Sequence, residues 1–266
     1  MSAVAPGTSA KTGNEPDLTV SLIVHQDFSH IGPALRSLLA TTSLPFRVMV
    51  TINTPSAPEV ERLRHEFPAV EFIINQQPAG FAANHNRILA QATTKYVALL
   101  NDDIILHDGA LDTLVAYLDA HATVGLVGPG LYNVDGTEQV SYYSDPGLGR
   151  MLYKISGLAV LTRQQSAARR WLQRLGVTRL FRVESLQPRH RVPHPVPVIK
   201  GTAMVVRRAA YEQVGLMDET TLAYGEEVEW HWRLRQAGWM VVFVPEAKVT
   251  HFGTGQIQLR LDGRML

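Results

Sequence analysis

The stretch YVALLNDD, residues 96–103, joins an apolar run to an amide and two carboxylates. Residues Tyr96–Leu100 predict a short buried strand, and Asn101–Asp103 follow it directly. Oxygen ligands of this kind suit a hard divalent cation such as Mg²⁺ or Mn²⁺, which takes one or two carboxylates together with substrate phosphates. A turn or a helix cap would also account for Asn and Asp at this position. The surrounding sequence therefore has to decide between a site and a turn.

On both sides of this stretch, short apolar runs alternate with amphipathic ones. The apolar runs predict strands at 18–24, 46–52, 70–74, 124–127, 198–206 and 239–244, and the amphipathic runs predict helices at 31–39, 59–65, 80–92, 110–120 and 222–236. The alternation indicates an α/β fold with a mostly parallel, Rossmann-like sheet flanked by helices. Ligands of such sheets bind at the carboxyl ends of the strands, where residues 25–27, Asn53 and Asn101–Asp103 fall.

The composition is that of a globular protein. The 266 residues include 25 Lys+Arg and 24 Asp+Glu, and 45% are hydrophobic, which excludes a disordered, collagen-like or coiled-coil chain. The absence of cysteine excludes disulfides, thiolate nucleophiles, Cys-ligated zinc and iron–sulfur clusters. Because cysteine is absent, any chemistry must use oxygen and imidazole groups. An isoelectric point of about 8.1 is also too low for a dedicated nucleic-acid binder.

The N-terminal residues 1–16 are small and polar, without the basic-then-apolar pattern of a signal peptide. We expect a disordered leader here, followed by one domain over residues 17–266, in the cytoplasm. The sequence has no run of roughly 18 apolar residues, the length that a membrane-spanning helix needs. Any membrane contact is therefore expected to be peripheral.

The alternation stops near Asp145. Residues 147–183 read as helical and carry eight Lys and Arg side chains, with no acidic residue between Asp145 and Glu184. Interleaved with apolar residues, these cations predict a helical surface for anionic lipid headgroups or a lipid diphosphate, at about 1 kcal/mol per cation. The alternative is that these arginines pair with Asp and Glu elsewhere, which the net charge of +1 permits. The first interpretation places the protein at the inner face of the membrane.

Three carboxylates begin the last predicted helix, in the stretch GEEVEWHW at 225–232. The helix dipole stabilises negative charge at this end, so simple charge decoration would account for Glu226, Glu227 and Glu229. Two tryptophans and a histidine directly after the carboxylates are not typical of a solvated face. A carboxylate fixed at a helix start beside a cleft is also a natural general base.

Two further stretches bring polar groups to the same edge. GFAANHNR at 80–87 begins a helix with small residues and amides, as an approaching phosphate or sugar requires, although a simple helix start accounts for it nearly as well. His251 follows the last strand and would place an imidazole near a metal or a diphosphate. A lone histidine is more often structural, and we interpret His25 and His85 in that way.

In this order, the stretches resemble the inverting family-2 glycosyltransferases of the GT-A fold, particularly bacterial rhamnosyl and related transferases of cell-surface polysaccharide synthesis. The match covers about residues 18–255. It is carried by GFAANHN at 80–86, LNDD at 100–103, GTAMVVRR at 201–208, GEEVEWHWRLRQAGW at 225–239 and VPEAKVTH at 244–251. Each stretch alone is weak evidence, but five in the right order are specific.

The resemblance implies a nucleotide-sugar half at 17–145 and an acceptor half, with a helical insertion, at 146–266. Asp103 and His251 would hold Mg²⁺ or Mn²⁺ against the diphosphate of a dTDP-rhamnose or UDP-sugar type donor. Glu227 would be the base, with the acidic Glu226 before it. The base would accept the proton of an acceptor hydroxyl that attacks from the face opposite the nucleotide, so one displacement inverts the anomeric carbon. The hydroxyl would belong to a lipid-linked or polysaccharide acceptor.

The nucleotide-sugar-binding residues that the resemblance implies are Asp27, Asn53, Gly80, Phe81, Asn84, Asn86, Asp102, Gly201 and Arg233. For Arg233 two roles stay open, namely pairing with a phosphate or holding the acidic cluster in place.

The sequence departs from the family pattern at three places. Asn53 stands where the family often has a base-reading Asp, and residues 25–27 are His-Gln-Asp where Thr-Tyr-Asn is usual. Glu227 replaces an Asp, so the base is one methylene longer. Because ångström-scale misplacement costs about 10²-fold in rate, this longer base indicates a different substrate or a slow catalyst.

The sequence also bears on two alternative functions. A nucleotidylyltransferase needs a Gly-rich, Lys- or Arg-bearing loop after the first strand, and residues 25–32 lack one. A catalytically weak or inactive GT-A-fold binding module in a polysaccharide assembly complex is disfavoured by the retained carboxylates. The missing base-reading Asp nevertheless leaves that second alternative open.

Overall fold

The computed structural model describes residues 16–143, 191–220 and 225–253. The strands of these ranges are β1 (Leu18–Val24), β2 (Phe46–Ile52), β3 (Glu71–Ile74), β4 (Tyr96–Asn101), β5 (Ile104–Leu106), β6 (Val124–Tyr132), β7 (Tyr142–Tyr143), β8 (His194–Pro195), β9 (Val198–Ile199), β10 (Ala203–Arg207) and β11 (Met240–His251). The helices are α1 (Ile31–Thr41), α2 (Ala57–Glu66), α3 (Phe81–Leu89), α4 (Ala110–Ala120), α5 (Arg208–Val214) and α6 (Glu226–Gln236). The basic stretch 147–183, with its expected membrane contact, and nearly all of the leader 1–16 lie outside the described residues.

Nine of these strands form one sheet in the order β3-β2-β1-β4-β10-β6-β11-β5, with β8 paired to β11. Strands β3, β2, β1 and β4 run parallel, as do β6 and β11. Strand β10 is antiparallel to both of its neighbours, and β5 is antiparallel to β11. The expected mostly parallel α/β sheet is therefore confirmed.

Helices cover both faces of the sheet because the apolar residues have the matching periods. All seven residues of β1 are buried, as expected for a central strand covered on both sides. Helix α1 buries Ile31, Leu35 and Leu38, spaced by four and three residues, against one face. On the other face, Trp230 of α6 is fully buried. Among the described residues, no helix is long and apolar enough to cross a membrane.

The structure divides one predicted strand in a way that matters for the site. Residues 198–206 were expected to be continuous, but Lys200–Thr202 form a turn between β9 and β10. Because β10 runs antiparallel to β4, its first residues lie at the carboxyl end of β4, and the Asn101 N–H donates to the Thr202 carbonyl at 3.0 Å. Lys200 and Gly201 therefore lie at the edge of the sheet where β4 ends, which is the expected ligand-binding edge.

Gly128 on β6 allows β9, and therefore the turn that follows it, to pack closely. A Cβ at position 128 would overlap the Cγ2 methyl of Ile199 and lie 3.0 Å from its Cδ1. We expect Gly128→Ala to lower the free energy of unfolding by about 1–3 kcal/mol, the usual cost of overpacking. Adding Ile199→Ala should recover part of this loss in urea titrations. Gly32→Ala is the control, since its Cβ meets no atom closer than 3.4 Å; equal losses in both glycine variants would contradict the packing explanation.

Candidate active site

The polar residues of the site follow strands that end at the same edge of the sheet. In the parallel register, Val24 lies beside Ile52, and Ile23 lies beside Asn101. His25, Asn53 and Asp102 therefore extend side by side beyond β1, β2 and β4. This edge is the usual ligand-binding position in α/β sheets.

Asp103 and His251 lie together at the end of β4. The Asp103 Oδ2 is 3.3 Å from the His251 Nε2, and both side chains are buried. Strand β11 fixes this contact, because His251 pairs with Ile104 and the Phe252 N–H donates to the Asp103 carbonyl at 2.9 Å. Asp103 and His251 thus meet in the fold although they are almost 150 positions apart in the sequence.

Gln139 determines which nitrogen of His251 faces Asp103. The Gln139 Nε2 donates to the Asn133 Oδ1 at 2.6 Å and to the His251 carbonyl at 2.8 Å, which uses both amide hydrogens. Its Oε1 therefore accepts, and the contact of 2.8 Å with the His251 Nδ1 requires a proton on Nδ1. A proton on Nδ1 leaves Nε2, which is 3.3 Å from the Asp103 Oδ2, as the nitrogen whose lone pair a metal ion could use.

This donor set fits a divalent cation that also binds substrate oxygens. The His251 Nε2 and a buried carboxylate converge, and a second carboxylate, Asp102, is next in sequence. The described residues hold no cluster of three or more His, Asp and Glu ligands. A metal here would take its remaining ligands from phosphate and water, as Mg²⁺ commonly does.

Negative charge is concentrated at this position. Burial, followed by the charge of Asp103, raises the pKa of Asp102 to about 7. Lys200 is half-buried nearby; burial lowers its pKa, and the charge of Asp103 partly opposes that shift. A cation or a diphosphate–metal complex would therefore meet both a carboxylate pair and a Lys ammonium.

Gly201 lies between the Asp103–His251 pair and the carboxylates of α6. The space between that pair and Glu227 is called the cleft below. A Cβ at position 201 would lie 3.4 Å from the Phe81 Cζ and 3.9 Å from the Glu227 Cγ. Gly201, Phe81 and Glu227, which belong to three separate stretches of the sequence, are thus neighbours, and Gly201 follows Lys200 directly. The glycine leaves the space between Phe81 and Glu227 open.

Glu227 and Glu226 begin α6 in different environments. Glu227 is half-buried, and burial, followed by the charge of Glu226, raises its pKa; its Oε2 accepts a weak hydrogen bond of 3.3 Å from the Gly225 N–H. Glu226 is buried, and within the described chain its Oε2 has no hydrogen-bond partner. A carboxylate with a raised pKa beside open space has the properties of a general base.

A buried network of amides fills the region below β1, β2 and α3. The Asn53 Oδ1 accepts hydrogen bonds from the Ala79 N–H at 2.7 Å, the Asn75 Nδ2 at 3.0 Å and the Asn84 Nδ2 at 3.3 Å. The Asn84 Oδ1 accepts from Asn75 as well, at 2.7 Å. The network fixes Gly80, where α3 begins, relative to the end of β2.

Asn86 and Arg233 hold the chain between α5 and α6. The Asn86 amide donates to the Met217 carbonyl at 2.8 Å and accepts from the Met217 N–H at 3.0 Å. Arg233 donates to both carboxylate oxygens of Glu229, at 2.6 and 2.8 Å, and to the carbonyls of Val214 and Leu216. Of the two roles left open for Arg233, these contacts favour holding the acidic helix in place.

Asp27 lies on the exposed loop after β1. Its Oδ1 accepts from the Ser29 N–H at 2.8 Å, and this hydrogen bond holds the pKa of Asp27 below its ordinary value. The charge of Asp27 also contributes to the raised pKa of Asp102, so the two carboxylates face the same region.

Sequence reasoning missed the roles of Lys200, Gln139 and His25. Lys200 was the detectable case, because it is a lone cation between an apolar run and Gly201. No local pattern marks Gln139, since its contacts with His251 span 112 positions. For His25 the sequence favours a structural role at the edge where residues 25–27 are expected, and no local pattern indicates the contact of 3.1 Å between its Nδ1 and the Asn53 Nδ2.

Comparison with known sequences points to one family. The profile of "Glycosyltransferase like family 2" matches residues 16–262. The chain is 27% identical over 245 residues to the N-acetylglucosaminyl-diphospho-decaprenol L-rhamnosyltransferase of Mycobacterium tuberculosis, covering 88% of this chain and 75% of that protein. It is 29% identical over 241 residues to the pre-mycofactocin glycosyltransferase of the same organism, covering 88% and 42%.

Solved structures share the fold at low sequence identity. GalNAc-T7 with UDP, GalNAc and Mn²⁺ has a TM-score of 0.63 at 14% identity, covering 90% of this chain and 44% of that one. The mannosyltransferase PcManGT from Pyrobaculum calidifontis, with GDP-Man and Mn²⁺, has a TM-score of 0.59 at 16% identity, covering 95% and 60%. The chain therefore spans less than two thirds of either protein, and what these likenesses show is the GT-A fold.

Proposed function

Because this chain belongs to glycosyltransferase family 2 and is a glycosyltransferase, we propose that it is an inverting enzyme with a nucleotide-sugar donor of the dTDP-rhamnose or UDP-sugar type. The acceptor is a hydroxyl of a lipid-linked or polysaccharide molecule. The relative named for rhamnosyl transfer to N-acetylglucosaminyl-diphospho-decaprenol supports this choice of donor and acceptor.

The reaction divides between the two ends of the cleft. Glu227 accepts the proton of the acceptor hydroxyl as the hydroxyl oxygen attacks the anomeric carbon. Asp103 and His251 would hold a divalent cation, and such a cation would neutralise the negative charge that develops on the diphosphate as its bond to the anomeric carbon breaks. Lys200 lies beside Asp103 and pairs with the same diphosphate. A single displacement inverts the configuration at the anomeric carbon.

One observation carries the proposal: the turn Lys200–Gly201 touches both ends of the cleft. Lys200 interacts with Asp103, while Gly201 borders Phe81 and Glu227. A sugar between a diphosphate at Asp103 and a hydroxyl at Glu227 would lie over Gly201, where a side chain would obstruct it.

In this proposal, some of the other implied binding residues contact the donor, and the rest position the residues that do. Asp102 faces the ribose, Phe81 and Gly201 border the sugar, and Asp27 lines the nucleotide side. Asn53, Asn84 and Gly80 shape the floor of the nucleotide site through the amide network. Asn86 and Arg233 act indirectly, by holding the chain that leads into α6.

The basic stretch 147–183 is proposed as the surface that meets the anionic lipid of the acceptor, at the inner face of the membrane.

Nucleotide binding provides the first test. In thermal-shift measurements with UDP-, dTDP- and GDP-sugars, we expect one nucleotide class to raise the Tm of the wild type only when Mn²⁺ or Mg²⁺ is present, because ligand binding stabilises the native state. Asp103→Asn keeps the shape of the side chain but removes its charge, and it should abolish this shift.

The matched control is Asp108→Asn, which removes an exposed carboxylate five residues along the chain and should keep the wild-type response. If no nucleotide sugar shifted the Tm of the wild type with either metal, the binding-module alternative would replace the enzyme proposal.

A further inference from the structure

The orientation of the Asn53 amide follows from its surroundings. The backbone N–H of Ala79 can only donate, so the Asn53 atom 2.7 Å from it must be the oxygen. The two other donors to this oxygen, from Asn75 and Asn84, agree with that assignment. The Asn53 Nδ2 is therefore the atom that faces His25. Asn53 is buried, and within the described residues its Oδ1 contacts Asn75, Ala79 and Asn84 while its Nδ2 contacts His25.

This orientation fixes the tautomer of His25. An amide nitrogen donates and does not accept, so the His25 Nδ1, 3.1 Å from the Asn53 Nδ2, must be the acceptor. A nitrogen that accepts this hydrogen bond carries no proton; burial also lowers the pKa of His25, while the charge of Asp103 partly opposes that shift. The single ring proton is then on Nε2, and His25 presents an N–H donor at the exposed edge of the sheet.

The position of His25 indicates which part of a nucleotide this donor meets. A cavity of about 590 Å³ opens between residues 26–29 and 54–56, which directly follow His25 and Asn53. Asp103 lies beyond β4, on the opposite side of β1 from this cavity. Neighbouring strands are about 4.8 Å apart, so the end of β2 is roughly 10 Å from the end of β4, which Asp103 follows. A nucleotide with its diphosphate at Asp103 would therefore place its base at the cavity, beside His25.

We propose that His25 donates its Nε2–H to a carbonyl oxygen of the donor's nucleobase, and that Asn53 sets base preference indirectly by fixing the His25 tautomer. The inference rests on the proposed function and deepens it, because it identifies how the same site selects its nucleotide. Uracil, thymine and guanine carry ring carbonyls that accept this hydrogen bond, whereas adenine has none.

The tautomer can be measured without turnover. Long-range ¹H–¹⁵N correlation spectra of the full chain with ¹⁵N-labelled histidine, with the His25 signals assigned by their loss in His25→Gln, should show the Nε2–H form at pH 7. The Nδ1–H form would overturn the proposal, since the ring would then present a lone pair at the edge.

Binding measurements test the contact with the base. With Mn²⁺ present, we would titrate UDP, dTDP, GDP and ADP into the wild type, His25→Leu and His25→Gln. His25→Leu should weaken the tightest carbonyl-bearing diphosphate about tenfold, the upper range for one neutral hydrogen bond, and leave ADP unchanged. His25→Gln keeps an N–H donor and should stay close to the wild type. His65→Leu, on the exposed face of α2, is the matched control.

The outcomes separate this inference from the proposed function. If the diphosphates bind but His25→Leu has no effect, or weakens ADP equally, the proposed base contact is wrong while the transferase proposal stands. If no diphosphate binds the wild type at all, the proposed function fails and this inference fails with it.

Discussion

Glu227→Gln is expected to lower the rate of sugar transfer by about 10²–10⁴-fold while nucleotide binding stays intact. Glutamine has nearly the same shape, but its amide cannot accept a proton from the acceptor hydroxyl, and the contribution of a general base is of this size. The fold should be unaffected, because glutamine keeps the size of the side chain and an oxygen that can accept the weak hydrogen bond from the Gly225 N–H at 3.3 Å. Single-turnover assays together with nucleotide thermal shifts would measure the two properties separately.

The pH dependence of the same reaction follows from the environment of Glu227. The base works only when it is deprotonated, and burial together with the charge of Glu226 raises its pKa above 4.5. The rate should therefore fall as the pH falls through this raised pKa. In Glu227→Asp the base is retained but displaced by one methylene, so we expect this acid limb to persist at a rate about 10²-fold lower.

Glu212→Gln is the control, since it removes an exposed carboxylate of α5 and should leave both rate and profile unchanged. A Glu227→Gln enzyme with wild-type turnover would show that another group, such as Glu226 or Asp102, accepts the proton.

Local sequence patterns were sufficient for most of the individual elements. Strand β1 and helix α4 have the predicted ends, because their apolar periods are long and regular. The order of strands was beyond such patterns: nothing in residues 203–207 indicates that β10 inserts antiparallel between β4 and β6. Strand β5 has three residues, too few to show a period, and its partner is far along the chain in β11.

In the candidate site, too, local patterns predict the position of a residue but not its side-chain contacts. Residues directly after strands, such as Asp103 and Asn53, could be predicted to lie at the functional edge because strand direction alone fixes that position. The orientation of His251 could not be predicted, because it depends on Gln139, 112 positions away. Nor does any period distinguish Asn86, which holds the Met217 backbone, from an amide that faces a ligand. Such contacts are set by tertiary packing.

His231 of α6 is an uncompensated polar side chain in the core. It is fully buried, and within the described residues neither ring nitrogen has a hydrogen-bond partner. Burial, together with the positive charge of Arg235, lowers its pKa to about 3. His85 of α3 is also fully buried with a pKa of about 3, although its Nδ1 pairs with the Ser21 hydroxyl at 2.7 Å. Lowering the pH should therefore destabilise the fold, because the unfolded state protonates these two rings more readily than the native core does.

His231→Leu is expected to be more stable than the wild type, and the gain should grow by about 2 kcal/mol between pH 7 and pH 5. The folded pKa of His231 lies below the unfolded value of 6.5, so the unfolded state binds more protons once the pH falls below that value. The wild type loses about 1.4 kcal/mol per pH unit from this group, down to its folded pKa, whereas leucine loses nothing. Leucine also suits a helix and a buried position. Urea titrations from pH 7 to pH 5 would measure the difference.

Comparing two variants at each pH isolates the histidine from groups that act in the opposite direction. Asp102, with a pKa raised to about 7, favours the folded state as the pH falls, but it is present in both proteins and cancels in the difference. His65→Leu on the exposed face of α2 is the matched control and should keep the pH dependence of the wild type. A His231→Leu protein whose stability ran parallel to the wild type from pH 7 to pH 5 would mean that His231 is protonated, and therefore solvated or paired, in the native state.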